Sequence, residues 1–145
     1  MFSKATEYAL RATIYIAQRS TKEKKTGLAE IANAIDSPKS FTAKILQSLT
    51  KNNKIISSVP GPNGGFFITE KAKKLSIRSI LLAMGEDKIL EKCALGLNKC
   101  SETKPCPMHS QYKAIKKQLI TLFENKTIKH LAEEMDNGSA YINNK

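Results

Sequence analysis

Apolar residues recur at three- and four-residue steps from the start of the chain. Residues 3–20 place Tyr8, Ala9, Ala12 and Ile16 on one side, which predicts an amphipathic helix. The polar run TKEKKT at 21–26 ends it, and Thr26 is placed to cap a short second helix striped by Leu28, Ile31, Ala32 and Ile35. Asp36, Ser37 and Pro38 form a turn, with Pro38 suited to a first helical position. A third helix then runs to about Lys51. Phe41, Ile45 and Leu49 follow i, i+4 spacing in it, and Leu46 widens the apolar side. Two short helices joined by a tight turn, with stripes that must face each other, make a helix-turn-helix.

The period then changes. Lys54 to Val59 and Phe66 to Thr69 are β-branched or aromatic runs, and PGPNGG between them has loop chemistry, so 54–69 reads as a hairpin. A hairpin directly after a helix-turn-helix is the wing of a winged helix. Its glycine-bearing tip lacks G-x-x-x-x-G-K-[ST] and a strand–helix junction, so it does not read as a phosphate loop. EKAKKL at 70–75 reads as a linker. Ser76 can cap a helix that carries Ile77, Ile80, Leu81 and Met84 and ends at Gly85. From Pro107 to about Glu124 a longer helix carries Met108, Tyr112, Ile115, Leu119 and Leu122. Their steps of 4, 3, 4, 3 make a heptad seam and an expected subunit interface. Thr127 to Met135 adds a short helix. The fold class expected is mostly α with a small β-hairpin wing: a winged helix-turn-helix plus a long dimerisation helix. Residues 1–75 form the DNA-binding unit, 76–136 the metal-binding loop and dimerisation helix, and 137–145 a disordered tail.

Charge changes the picture most. The 145 residues carry a net charge of +11. Residues 1–75 hold 13 basic against 5 acidic side chains, and residues 76–145 hold 11 against 8. The excess lies with the helix-turn-helix and implies a polyanion partner there. On the third helix, the polar side presents Lys39, Ser40, Thr42, Ala43, Lys44, Gln47 and Lys51 with no acid among them. A merely solvated face mixes the two signs. Ser, Thr and Gln bond base edges and Lys neutralises phosphate, so this face is expected to meet duplex DNA, with Pro62, Asn63 and Gly64 at the wing tip. No apolar run reaches the ~18 residues of a membrane span, and MFSKATEYALRATIYIAQ is too charged for a signal peptide. The expected location is the cytoplasm.

All three cysteines fall in CALGLNKCSETKPCPMH, at C-x6-C-x5-C, with His109 close behind Cys106. Three cysteines cannot make two disulfides, and thiols stay reduced in the cytosol. Cys93, Cys100 and Cys106 therefore read as metal ligands on one polar, turn-rich loop. Pro107 as a first helical residue would make Cys106 a helix cap, where the dipole favours its thiolate.

These residues resemble the Rrf-type winged-helix transcriptional regulators, the IscR- and NsrR-like family. The likeness spans nearly the whole chain, through YALRA, KILQSLTKNNKI, SSVPGPNGGF and the three-cysteine loop. It implies a homodimer with crossing long helices and an iron–sulfur cluster, in its two-iron two-sulfur form, whose state controls DNA affinity. The implied ligands are Cys93, Cys100 and Cys106. The fourth is either His109 or Glu7 of the partner subunit, and the first spacing is one residue longer than the family's common x5.

The resulting expectation is a repressor or activator that binds an imperfect palindromic operator and senses cluster status, nitric oxide or redox state. A DNA-binding regulator with a structural zinc site, or with no metal, is the alternative, since Cys3His is also a zinc set. A thiol enzyme using Cys106 and His109 is the least favoured reading. No third group to orient the base is evident and no other catalytic motif is present, so no enzyme and no small-molecule substrate are expected.

Overall fold

Residues 1–143 are described by the computed structural model, and helix α1 (Lys4–Arg19) is the element on which the others converge. Ser3 caps it, its hydroxyl accepting from the Thr6 N–H at 3.1 Å. Glu7 in the first turn and Arg19 in the last match the helix dipole. One face, with Ala9, Ala12, Thr13, Ile16 and Ala17, is fully covered. The small alanines let backbones close on it, and α1 packs against α2 (Leu28–Ala34), α3 (Lys39–Leu49), α5 (Arg78–Ala83) and α7 (Ile128–Asp136).

The helix-turn-helix is α2 and α3, locked by Ile31, Ile35, Ile45, Leu46 and Leu49. Arg11 reaches over from α1, donates to the Ile35 carbonyl at 3.0 Å and stacks on Tyr8, 4.8 Å from the ring centroid. Tyr8 meets Phe41 edge to face at 5.6 Å. Strands β1 (Ser57–Val59) and β2 (Gly65–Phe67) form the antiparallel wing, pairing Ser57 with Phe67 and Val59 with Gly65. The fold class read from the pattern holds: a mostly helical chain with one two-stranded hairpin.

Several boundaries move, each for a local reason. Thr26 does not cap α2; Gly27 occupies that position. Thr26 instead exchanges two backbone bonds with Phe66, at 2.9 and 2.8 Å, which satisfy more groups than a single side-chain cap. The expected linker at 70–75 contains α4 (Glu70–Lys73), capped by the Thr69 hydroxyl accepting from Ala72 N–H at 3.1 Å. Ser76 bridges Thr127, so α5 begins after Ile77. The long helix α6 spans His109–Asn125, two residues later than expected. The turn before it closes through His109 N–H to the Cys106 carbonyl at 3.0 Å, so Cys106 is not the cap.

The heptad pattern on α6 separates into rows. His109, Lys116 and Phe123 are buried against the chain's own loop and core, with Phe123 meeting Phe2 edge to face at 5.5 Å. Tyr112 and Leu119 are half-buried. Met108, Ile115 and Leu122, at 47%, 53% and 47% exposure, look outward. One buried cluster runs from Ala9 to Ala132, so α7 shares its core with the helix-turn-helix. Gln18 and Asp136 tie the far ends of α1 and α7 at 3.0 Å. In the segment 137–145, Ile142 packs against this core; residues 144 and 145 lie outside the described residues.

Glu86 fastens the start of α1 to the segment leading into the cysteine loop. It accepts from Ser3 N–H at 3.2 Å and from the hydroxyls of Ser3 and Thr6. These bonds, Ser3's hydroxyl first and Thr6's next, hold its carboxyl below its ordinary value. A depressed folded pKa stabilises the fold above the ordinary carboxyl value of 4.5, and that contribution is lost as pH falls through the lowered value. Glu86→Gln is therefore expected to flatten the acid limb of the stability curve between 4.5 and that lowered value, measured by urea unfolding at a series of pH values. An unchanged acid limb would contradict this role.

Candidate nucleic-acid interface and cysteine loop

The outward side of α3 follows from its inward side. With Ile45, Leu46 and Leu49 committed to the core, Lys39, Ser40, Lys44, Gln47 and Ser48 are left exposed in a row without a carboxylate. Ala43 is half-buried beside them. Thr42 is a correction. It is fully buried, with its hydroxyl donated to the Pro38 carbonyl at 2.9 Å, so it supports the first turn of α3 and cannot reach a ligand. The hydroxyl's alternative use inside the helix was not visible from its polar type.

At the wing tip Pro62 and Asn63 are exposed and Gly64 is half-covered. The tip closes through Gly64 N–H to the Gly61 carbonyl at 2.9 Å. A Cβ on Gly64 would lie 2.0 Å from the Val59 carbonyl oxygen and 2.8 Å from Pro60. Only glycine allows that approach. Pairing between Thr26 and Phe66 also brings the lysine-rich 22–25 loop against the wing, with the Lys25 Cβ beside Gly65.

The cysteine loop leaves a 3-10 turn at Asp87–Leu90, anchored by fully buried Leu90. Cys93 is buried and its sulfur receives backbone N–H groups. Leu97 N–H is the largest influence, followed by Leu95 N–H; the Cys106 side chain and Gly96 N–H add to them, while burial opposes. The net effect holds the Cys93 thiol below its ordinary value and favours thiolate. The left-handed Gly96, at φ +74°, turns the chain so that successive N–H groups converge, a nest suited to an anionic sulfur.

The other thiol group is gathered by α6. Cys100 Sγ lies 3.4 Å from His109 Nδ1 and 2.9 Å from Lys116 Nζ. His109 is buried; its Nε2 lacks a hydrogen-bond partner, although a Glu102 oxygen stands 3.4 Å away. That contact has ion-pair distance without hydrogen-bond alignment, so it leaves Nε2 unsatisfied. Glu102 itself is held below the ordinary carboxyl range, by Lys113 first and His109 second. Glu7 sits on the first turn of α1, where its carboxylate meets Lys4 at 3.6 Å.

The loop thus brings two of its predicted ligands together, Cys100 with His109, while Cys106 bears on Cys93 only as one of the lesser influences that lower its thiol. No three of the His, Cys, Asp and Glu side chains converge on one point among the described residues. The donor chemistry still fits a thiophilic metal centre: three thiols, a nest that favours thiolate and an imidazole with an orphaned buried nitrogen. Drawing Cys93 and Cys106 onto Cys100 and His109 is what a bound centre would add. Lys116 and Glu86 were missed in the sequence, where each looked like an ordinary surface charge. The seven-residue recurrence 109, 116, 123 was the available signal for Lys116.

Comparison with known proteins agrees with the geometry. Residues 2–134 match the family model Rrf2, described as iron-dependent transcriptional regulators. A provisionally named HTH-type transcriptional regulator of Aquifex aeolicus (strain VF5) is 34% identical over 133 residues, covering 90% of each chain. The HTH-type transcriptional regulator IscR of Serratia proteamaculans (strain 568) is 24% identical over 129 residues, 89% of this chain and 77% of that one. The solved structure of CymR, the global cysteine regulator of B. subtilis, superposes with a TM-score of 0.72 at 15% identity, over 92% of this chain and 96% of that one. These relatives are regulators rather than enzymes.

Gly64→Ala is expected to open the wing tip. Amide exchange at 57–59 and 65–67 should accelerate about tenfold or more, while amides of α1 keep their protection. Unchanged exchange across the hairpin would contradict the close packing at Val59.

Proposed function

This chain belongs to the Rrf2 family of transcriptional regulators, and from that premise we propose that it binds an operator in duplex DNA under the control of an iron–sulfur cluster held on the cysteine loop. The observation that carries this reading is the set of three thiols on one loop, with the Cys100 sulfur held against α6 by His109 Nδ1 at 3.4 Å and Lys116 Nζ at 2.9 Å, beside a Cys93 thiol held below its ordinary value by nearby backbone N–H groups. Such N–H groups stabilise sulfur bound to iron and tune its potential. The ligands are Cys93, Cys100 and Cys106. His109 is the better-supported fourth, because it already faces Cys100 and has an orphaned buried nitrogen. Glu7 of a second copy is the alternative, since its carboxylate has no tie beyond Lys4 among the described residues. Bound there, a two-iron two-sulfur cluster would supply a redox-active and chemically labile centre.

Lys39 and Lys44 neutralise phosphate, and Ser40 and Gln47, with Ala43 beside them, face base edges. Pro62, Asn63 and Gly64 carry the wing to the flanking backbone. The outward row Met108, Ile115 and Leu122 pairs with its copy in a homodimer, so the operator is an imperfect palindrome with half-sites about one helical turn apart. Coupling runs through Glu86, because a movement of the cysteine loop pulls on the start of α1, and α1 carries α2 and α3. The cytoplasm is the expected location; no described helix is long and apolar enough to cross a membrane. A structural zinc site is the second reading, favoured by the same Cys3His donors.

Anaerobically purified protein is expected to be coloured, and Cys→Ala at 93, 100 or 106 to abolish the visible bands. His109→Ala, and not Glu7→Ala, should alter them. A colourless protein holding stoichiometric zinc would overturn the cluster reading and leave the second. Lys44→Ala is expected to weaken binding to all duplexes and to reduce the slope of log affinity against log salt by roughly one unit. An unchanged slope would remove α3 as the reading element.

A further inference from the structure

Lys116 is the only Lys, Arg, Asp or Glu that is buried among the described residues, at 8% exposure. Its Nζ touches three things: Cys100 Sγ at 2.9 Å, the Glu91 carbonyl at 3.1 Å and, more distantly, the Tyr112 ring at 5.7 Å. No carboxylate stands within ion-pair distance of it among the described residues. The nearby acids are engaged elsewhere, Glu91 with Arg78 at 3.1 Å and Glu102 with Lys113. A buried ammonium without an anion is costly, and chains avoid it unless a counter-charge is present. The one neighbour able to carry that charge is the Cys100 sulfur.

The helix geometry reinforces the assignment. His109 and Lys116 lie seven residues apart on the buried row of α6, and both reach the same sulfur. Cys100 is therefore gripped from two successive levels of the helix. The space around them is a cleft of about 530 Å³ between the loop and α6, floored by Leu90 and Ile120. In such a partly apolar setting a fixed charge acts strongly on its neighbours.

We propose that Lys116 is the positioning and charge-compensating residue of the cysteine loop: its ammonium holds the Cys100 sulfur in place and makes a cluster bound there easier to reduce. This rests on the iron–sulfur reading above. Reduction adds one electron and leaves more negative charge on the ligating sulfurs; a cation at 2.9 Å from one of them stabilises that state more than the oxidised one. Its removal must then lower the potential.

The test is an anaerobic spectroelectrochemical titration of wild-type, Lys116→Met and Lys116→Arg proteins. Met fills a similar volume without charge, and replacing a buried ion by an apolar chain is commonly tolerated. Lys116→Met is expected to keep its thermal unfolding midpoint. Its reduction equilibrium should fall about tenfold or more, ~59 mV for one electron. Lys116→Arg should stay near the wild-type potential. Loss of colour in Lys116→Met with colour retained in Lys116→Arg would equally support the charge role. A Lys116→Met potential equal to wild type, or an equal displacement or loss of colour in both variants, would overturn it. A colourless wild-type protein would instead overturn the cluster reading, and this inference with it.

Discussion

Burial of one face of α1 is the constraint on which the rest of the molecule depends. Ala9, Ala12 and Ile16 are completely covered, and that cover comes from the helix-turn-helix, from α5 and from α7 together. No neighbour can shift without disturbing a surface shared by the others, because close-packed interiors transmit displacement rather than absorb it. The consequence for function is direct. The helix-turn-helix that presents Lys44 and Gln47 to solvent and the element that leads into the cysteine loop are held by one helix, the first through Arg11 on the end of α2 and Tyr8 on Phe41 of α3, the second through Glu86.

The second organising feature is the division of α6 into an inward and an outward row. An ordinary packing helix would bury its most apolar row and expose the polar one. Here the inward row holds His109 and Lys116, while Met108, Ile115 and Leu122 remain outside. Polar side chains turned inward need partners, and the cysteine loop supplies one in Cys100. Apolar side chains turned outward need cover, which a second copy would supply. The same helix is thereby suited to hold a metal centre on one side and a symmetry-related helix on another.

Much of this was legible in the sequence because it rests on strong periodic signals. The helix-turn-helix, the wing and the seven-residue recurrence all follow from apolar spacing and from glycine and proline placement, and the three cysteines stood apart by clustering. What escaped was decided by backbone competition. Thr26 gave up a capping role for two strand bonds with Phe66, and Ser76 gave up its own to stand opposite Thr127 in a bridge whose bonds run from Ile77 N–H to the Lys126 carbonyl and from Ile128 N–H to the Leu75 carbonyl. Thr42 turned its hydroxyl onto Pro38. The apolar row Met108, Ile115 and Leu122 was legible as an outward seam, whereas the buried row beside it, His109 and Lys116, was not, because its residues are less apolar than the row the chain leaves outside. A tertiary need for His109 and Lys116 beside Cys100 outweighed hydrophobic ranking, and such needs leave little trace in a single sequence.

Coupling between the cysteine loop and the reading helix is tested most directly by DNA affinity in two states of one preparation. Duplexes would be selected from a random pool by the coloured, anaerobic protein, and the dissociation constant of the selected duplex measured before and after iron removal at fixed salt. The expected result is an imperfect palindrome whose affinity changes by about tenfold or more, roughly 1.4 kcal/mol of coupling. Equal affinity in the two states, with both proteins folded, would contradict it.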